Sequence, residues 1–267
     1  MFLSKKSLIK ILVLPIICFV VGVIGLYFAI VAALLDIDST MLFILSILLF
    51  LLGVLAIFTF LKNEGKVKYI RLGNKLVNNE LRPAEFIKEY ELLKNSQGLV
   101  IKKPSIEILQ LVLAAYDSLS DKGNSLAIAD EMIAVASDKK KSYAKIMKAS
   151  VLFSHGEIEE AEAIFTEAQR GKLNFSSIAL VDVVIKSDRA IAMGDYKLAE
   201  SYYLASLEQT FPKPSNLSKL SGHYSLGEIY EKTGEKEKAL TYYQYCAENG
   251  GETYMKSAAE AAIKRLG

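Results

Sequence analysis

A pattern of small and aromatic residues that recurs along the C-terminal part of the chain constrains its fold more than any other feature. Its last copy consists, in order, of Gly227, Tyr230, Gly234, Ala239, Tyr243 and Cys246. Spacings of three and four residues place side chains on one face of a helix, and Gly234 interrupts the pattern. The copy therefore predicts two antiparallel helices joined by a short turn and packed closely through small residues.

Three upstream segments repeat this arrangement. The copies are Ala149, Leu152, Gly156, Ala161, Phe165 and Ala168; then Ala190, Gly194, Ala199, Tyr203 and Ser206; and a fainter one with Leu119, Gly123, Ala127 or Ala129, and Ile133. The turn glycines at 123, 156, 194 and 234 are separated by 33, 38 and 40 residues. Such a period predicts a solenoid of helical hairpins, which needs no single central core.

At these residues the chain resembles the tetratricopeptide repeat (TPR) family, whose unit is a helix–turn–helix of about 34 residues. The resemblance covers residues 104–267 and is most complete in the last unit. His223 stands where the family usually has a larger aromatic residue, and Lys186 and Ser187 replace the Leu-Gly pair of the third unit. Another array of α-helical hairpins is the alternative.

The resemblance implies a partner-binding groove, because members of this family bind proteins on the concave surface formed mostly by the first helix of each unit. In register, the groove residues are Leu113, Asp117, Ile146, Ser150, Phe153, Val184, Asp188, Ile191, Tyr224 and Glu228. The alternative for several of the apolar residues is packing against neighbouring helices. The Lys, Asn and Arg set with which some members grip a C-terminal carboxylate is missing at these positions.

Two long apolar runs, 11–35 and 41–61, precede the repeats, and neither contains a charged residue. A helix of about 20 apolar residues crosses a bilayer, so the runs predict a two-helix transmembrane hairpin within residues 11–61. The predicted fold class is thus all-α, with a transmembrane hairpin followed by a TPR-like α-solenoid.

Basic residues on both sides of the runs predict the topology. Lys5, Lys6 and Lys10 precede the first run, and five Lys and Arg residues lie between 62 and 75. The only charged residues of the connecting loop are Asp36 and Asp38. By the positive-inside rule, residues 1–10 and the C-terminal part are cytoplasmic, in an inner or plasma membrane.

Gly25, Ala29 and Ala33 form a stripe of small residues in the first run, which allows close helix packing. Ser46 and Gly53 offer a matching face in the second run. The stripe predicts either packing of the hairpin on itself or contact with another membrane protein, alongside contact with membrane lipid.

Residues 62–103 predict a juxtamembrane helical hairpin between the apolar runs and the repeat array at 104–267. Pro83 suits the first turn of its second helix, and Phe86, Tyr90 and Leu93 form an apolar stripe. The hairpin is predicted to cap the array, or to act as a stalk.

Composition excludes several functions. From Lys62 onward there are 29 Lys and Arg against 28 Asp and Glu, so no basic footprint for nucleic acid is expected. His155 and His223, the only histidines, are not spaced as metal ligands, and Cys18 and Cys246 are not placed to pair. Phosphate-binding loops, nucleophile elbows and dinucleotide motifs are also missing, so neither a cofactor nor catalysis is expected.

The sequence thus predicts a membrane-anchored scaffold or adaptor, not an enzyme, whose cytoplasmic array binds a protein partner. It would help to assemble a membrane-associated complex, such as envelope secretion or polysaccharide-export machinery. The alternative is a regulatory subunit whose transmembrane hairpin assembles with a membrane enzyme or transporter.

Overall fold

The computed structural model describes residues 19–28, 30–32, 40–95, 104–171, 175–210 and 213–267, and every regular element in these ranges is helical. The chain divides into two compact units, residues 1–68 and residues 69–267. The predicted all-α character is therefore confirmed for the part of the chain that the structure describes.

In the first unit, a helix through residues 19–28 packs against the N-terminal part of helix α1 (Thr40–Gly73). Glycines permit this contact: a Cβ added to Gly22 would lie 2.6 Å from the backbone nitrogen of Phe50, and one added to Gly53 would lie 2.7 Å from that of Phe19. Gly25 faces Ser46. The small residues of this segment thus serve the packing of one helix on the other.

The predicted transmembrane hairpin is wrong. No helix within the described residues combines the length and the apolar character required to cross a bilayer. The run at 11–35 is described as helical only at 19–28 and 30–32, and the run at 41–61 is part of α1, which continues through the charged residues between 62 and 71. The predicted inner or plasma membrane localisation is corrected with it.

The predicted partners of that hairpin lose their support for the same reason. Gly25 is occupied by its contact with Ser46, while Ala29 and Ala33 lie outside the described residues, as do residues 1–10. Neither membrane lipid nor a second membrane protein is therefore retained as a partner.

The second unit is a series of helices joined by short turns. They are α2 (Pro83–Asn95), α3 (Ile106–Asp117), α4 (Lys122–Val135), α5 (Asp138–Ser154), α6 (Ile158–Arg170), α7 (Phe175–Val184), α8 (Tyr196–Glu208), α9 (Asn216–Lys232), α10 (Lys236–Asn249) and α11 (Tyr254–Leu266). Two π-helical segments interrupt the α-helical pattern: Asn74–Asn79 follows α1, and Ile185–Arg189 follows α7 and leads into a single turn, Ala190–Ala192. The pairs α3/α4, α5/α6, α7/α8 and α9/α10 form a TPR-like array. In the third pair, α8 packs on Ile185–Arg189 and Ala190–Ala192, which continue α7 as the first helix.

Left-handed glycines end the first helix of three pairs. Gly156, Gly194 and Gly234 have φ of +77°, +76° and +83°, a conformation that costs glycine nothing because it has no Cβ. Gly123 does not play this role, because it lies inside α4. In the first pair Ser120 takes the left-handed position, with φ of +57°, and the turn comes earlier than the sequence predicts.

Small residues set the distance between the two helices of each pair. A Cβ on Gly227 of α9 would lie 2.7 Å from Cε1 of Tyr243 on α10, so only glycine lets this ring sit against the backbone. The equivalent small residues of the other pairs are also fully buried, namely Ala149, Ala161 and Ala199. The predicted pattern thus marks the crossing points of the paired helices.

The two ends of the second unit contact each other. The carbonyl of Leu81 accepts a hydrogen bond from the amide of Glu252 at 2.9 Å, and the carbonyl of Ser118 accepts one from the amide of Tyr254 at 2.9 Å. Leu81 is only 5% exposed and belongs to the hydrophobic cluster of the last repeat. The array is therefore closed by its own ends.

The segment predicted as a cap supplies one side of this closure. Phe86 and Tyr90 of α2 are buried in one cluster with Leu109 and Val112 of α3, so α2 packs on the first repeat. Leu81, just before α2, meets the last repeat. Residues 96–103, the predicted connector to α3, lie outside the described residues.

The turn assignment predicts opposite effects for two glycine-to-alanine substitutions. Gly234→Ala forces a Cβ into the left-handed region and is expected to lower the free energy of unfolding by about 1–2 kcal/mol. Gly123→Ala, in the first turn of α4, places a Cβ in ordinary contact with Asp121 Oδ1 at 3.8 Å and is expected to raise it by up to about 1 kcal/mol. Urea denaturation followed by circular dichroism measures both, and shifts of the same sign would contradict the assignment.

Candidate functional site

The closed array surrounds a cavity of about 290 Å³. Its walls come from α3, α5, the segment 188–191, α8, α9 and α11, so each of the four helix pairs contributes to it. The residues that line it include Gln110, Leu113, Asp117, Met147, Ser150, Phe153, Ser154, Asp188, Ile191, Tyr203, Ser221, Tyr224, Ser225, Glu228, Tyr254 and Met255.

The predicted groove residues meet at this cavity, with two exceptions. Ile146 and Val184 have no exposed surface and pack in the cluster between α5 and α6. On α5 the cavity face carries Met147, Ser150 and Ser154, and Ile146 is turned away from it. For Ile146 and Val184, packing was therefore the better interpretation.

Several wall residues escaped the sequence analysis. Tyr254 and Met255 belong to α11, which follows the last hairpin and had no place in the repeat register. Tyr203 of α8 belongs to the second helix of its pair, whereas the predicted groove residues were all placed on first helices. The one sequence signal that pointed to Tyr203 was its place in the repeat pattern.

Asp117 and Asp188 are two carboxylates inside the array. Burial raises the pKa of Asp117 to about 6. Burial also raises the pKa of Asp188 to about 6, aided by the negative charge of Asp117 and opposed by hydrogen bonds from Ser150 and Ser187. The Asp117 side chain nevertheless keeps 47% of its surface exposed, and Asp117 lines the cavity.

Glu228 of α9 is the third carboxylate of the cavity. Burial raises its pKa, while a hydrogen bond from the Tyr224 hydroxyl, one helical turn away, lowers it. Nearby Glu231 raises the pKa further and Lys232 lowers it. The cavity thus holds three acids that ionise less readily than exposed carboxylates.

Aromatic rings form part of the same walls. The rings of Tyr224 and Tyr254 meet edge to face, with centroids 5.6 Å apart and an interplanar angle of 75°. Phe153, which is 3% exposed, meets Phe165 in a similar way at 6.4 Å. Such contacts fix the ring positions and give the cavity rigid walls.

The π-helical segment Ile185–Arg189 positions Asp188 at the cavity. It coincides with Lys186 and Ser187, the pair that replaces the usual Leu-Gly of the third unit. The Ser187 hydroxyl donates to the carbonyl of Val183 at 2.8 Å and contacts Asp188 at 3.2 Å. Because π-helical insertions occur often at functional sites, this irregularity marks the Asp188 position.

The remaining reactive side chains have structural environments. His223 stacks on Tyr245 with ring centroids 3.7 Å apart, and so occupies the aromatic position of the repeat. Cys246 is buried, donates to the carbonyl of Leu220, and has its pKa raised to about 12 by burial. Within the described ranges no group of His, Cys, Asp or Glu is arranged to hold a metal ion.

Comparison with known proteins identifies the repeat. The family model of the tetratricopeptide repeat matches residues 220–248, which belong to α9 and α10 and the turn between them. No curated protein and no solved structure matches the chain. The fold and the cavity thus define a helical repeat array, and the matched repeat is of the tetratricopeptide type.

A tetratricopeptide repeat indicates a protein–protein interaction or scaffold role. Neither this match nor the described helices support membrane assembly, secretion or polysaccharide export. The alternative of a regulatory transmembrane hairpin falls with the predicted spans.

The raised pKa values of the two aspartates predict how stability depends on pH. Between pH 3.8 and about 6, Asp117 and Asp188 bind more protons in the folded chain than in the unfolded chain, so their contribution to the free energy of unfolding falls as pH rises through this window and stays lower above it. The double variant Asp117→Asn/Asp188→Asn is expected to be more stable than the wild type at about pH 7.5, with a difference that shrinks towards pH 4.

Urea denaturation across this pH range tests the prediction. The control variant is Asp130→Asn/Asp182→Asn, which removes two acids that pair with Lys148 and Lys186 outside the cavity. It is expected to keep the pH profile of the wild type. A profile of the cavity variant that runs parallel to the wild type would contradict the prediction.

Proposed function

We propose that the chain is an interaction protein that binds a segment of a protein partner in the cavity of its closed array. The observation that carries this proposal is the convergence of α3, α5, the segment 188–191 and α9, one from each of the four pairs, on one cavity together with α11. Protein recognition by a tetratricopeptide-type array uses this inner surface, so the position of the cavity supports the proposal.

The cavity has an exposed border through which a partner segment can enter. Gln110 on α3 and Ser154 on α5 both line the cavity and are both exposed. The walls also carry Leu113 and Met147, which offer apolar contact. A segment that reaches past Gln110 therefore meets apolar, aromatic and acidic groups in one enclosed space.

The proposal assigns no catalytic step to these residues. The three acids occur together with tyrosines, serines and methionines, and the sequence carries no nucleophile motif beside them. That the chain is not an enzyme stays a prediction of the sequence, and an interaction role is the function that we propose.

Site-specific photocrosslinking in cells tests this function. A photoreactive phenylalanine analogue is placed at Gln110, on the border of the cavity, or at Gln244, an exposed glutamine of α10 that does not line it. We expect a discrete protein adduct at Gln110 and none at Gln244, because a bound segment passes within reach of the first position alone.

A third position separates cavity binding from binding elsewhere. The same analogue at Ser154, a second exposed residue that lines the cavity, is expected to capture the protein captured at Gln110. An adduct at Gln244 alone would move the interface to the outer surface of the array. No adduct at any of the three positions would contradict the proposed function.

A further inference from the structure

The cavity has a one-sided charge. Asp117, Asp188 and Glu228 contribute carboxylates, and none of the described residues that line it is a Lys, Arg or His. The chain as a whole carries a formal net charge of +2, so the acidity belongs to this site and is not a general property. A concave site lined by one sign of charge concentrates counter-ions of the opposite sign.

His155, the basic residue that lies close to Asp117, does not neutralise it. His155 Nε2 lies 3.9 Å from Asp117 Oδ1, which is longer than a hydrogen bond, and this nitrogen is buried without a hydrogen-bond partner. Burial and the charge of Lys122 lower the pKa of His155, so the imidazole is neutral near pH 7. Among the residues that the structure describes, the Asp117 carboxylate therefore has no cationic partner at the cavity.

The other two acids are held by hydroxyl groups. Asp188 accepts hydrogen bonds from Ser150 and Ser187, and Glu228 accepts one from Tyr224. Hydroxyl donors orient a carboxylate but leave its charge in place, and each carboxylate can accept several further hydrogen bonds. Acceptors for a cation thus remain on two walls of the cavity.

The walls between the acids are apolar and aromatic. Tyr224 and Tyr254 present rings next to Glu228, and Met147, Met255 and Leu113 cover further surface. Aromatic rings attract cations through their faces, and an apolar wall suits the aliphatic stem of a long basic side chain. Lysine and arginine combine such a stem with a charged end, so their chemistry matches both parts of this cavity.

Building on the proposed function, we infer that the cavity receives a lysine or arginine side chain from the partner protein. Its volume of about 290 Å³ lies at the lower limit of typical ligand pockets, which favours one side chain over a larger ligand. The exposed border at Gln110 and Ser154 leaves room for the polypeptide outside. The three carboxylates favour a positively charged side chain over a neutral or negatively charged one.

Selection from a random library of displayed dodecapeptides tests the inference without a known partner. The full chain is the bait, either as the wild type or as Asp117→Asn/Asp188→Asn, which keeps the side-chain shapes and removes both charges. The control bait is Asp130→Asn/Asp182→Asn, which loses the same net charge from exposed sites outside the cavity. Peptides selected on the wild type are expected to share one Lys or Arg position.

Affinities of the selected peptides give the quantitative test. The cavity variant is expected to bind them at least about tenfold more weakly than the wild type, and the control variant within about twofold, because pairing with a desolvated carboxylate is lost only in the cavity variant. Replacing the shared basic residue of the peptide by glutamine is expected to cause a similar loss.

Methionine methyl groups report where the peptide binds. Met147 and Met255 line the cavity, whereas Met132 is fully buried in another cluster and Met193 is exposed. In a methyl-labelled full chain, binding is expected to shift the signals of Met147 and Met255 and to leave those of Met132 and Met193 unchanged. Shifts confined to Met193 would place the peptide elsewhere and overturn the inference.

Further outcomes bear on this inference and on the proposed function in different ways. Peptides that share no basic residue, or that bind the cavity variant equally well, would overturn the inference and leave the proposed function standing. A library that yields no binding peptide would count against both. The last probe is Nα-acetyl-lysine amide, which keeps the charged side-chain amine. If it shifts the methyl signals of Met147 and Met255 at the same concentration as the peptides, the site binds a free small cation, and the inferred polypeptide occupant is wrong.

Discussion

The close approach of paired helices, made possible by small residues at each crossing, is the constraint on which the rest of the second unit depends. Gly227 lets the ring of Tyr243 lie against the backbone of α9, and Ala149, Ala161 and Ala199 occupy the equivalent crossings. A larger residue at any of these positions would push two helices apart, and each later pair would be displaced in turn. The geometry of the cavity is therefore set by residues that do not line it.

Closure of the array changes how readily the acids of the cavity ionise. In an open groove Asp117 and Asp188 would be hydrated on one side and would ionise like surface carboxylates. Because Leu81 and Ser118 receive hydrogen bonds from Glu252 and Tyr254, the inner surface is enclosed, and burial raises the pKa of both acids to about 6. Ionised carboxylates in a buried site lower the free energy of unfolding, as is common for residues that form a binding site.

The sequence predicted what local spacing determines and missed what depends on contacts between distant segments. Left-handed turns at Gly156, Gly194 and Gly234 and the buried small residues follow from the helical period. The position of Ser120 in the first turn, the phase that buries Ile146, and the contact of Leu81 with the last repeat depend on tertiary packing. The two apolar runs predicted membrane spans by composition alone, a signal that the described helices do not bear out.

The contact between Leu81 and the last repeat also changes how this array behaves as a chain. Open solenoids are modular: repeats can be added or deleted because each contacts only its neighbours. Here a deleted or duplicated pair would separate Leu81 from Glu252, so the number of repeats is fixed. Folding must also bring together residues far apart in sequence, which makes the unit more cooperative and slower to form than an open array of equal length.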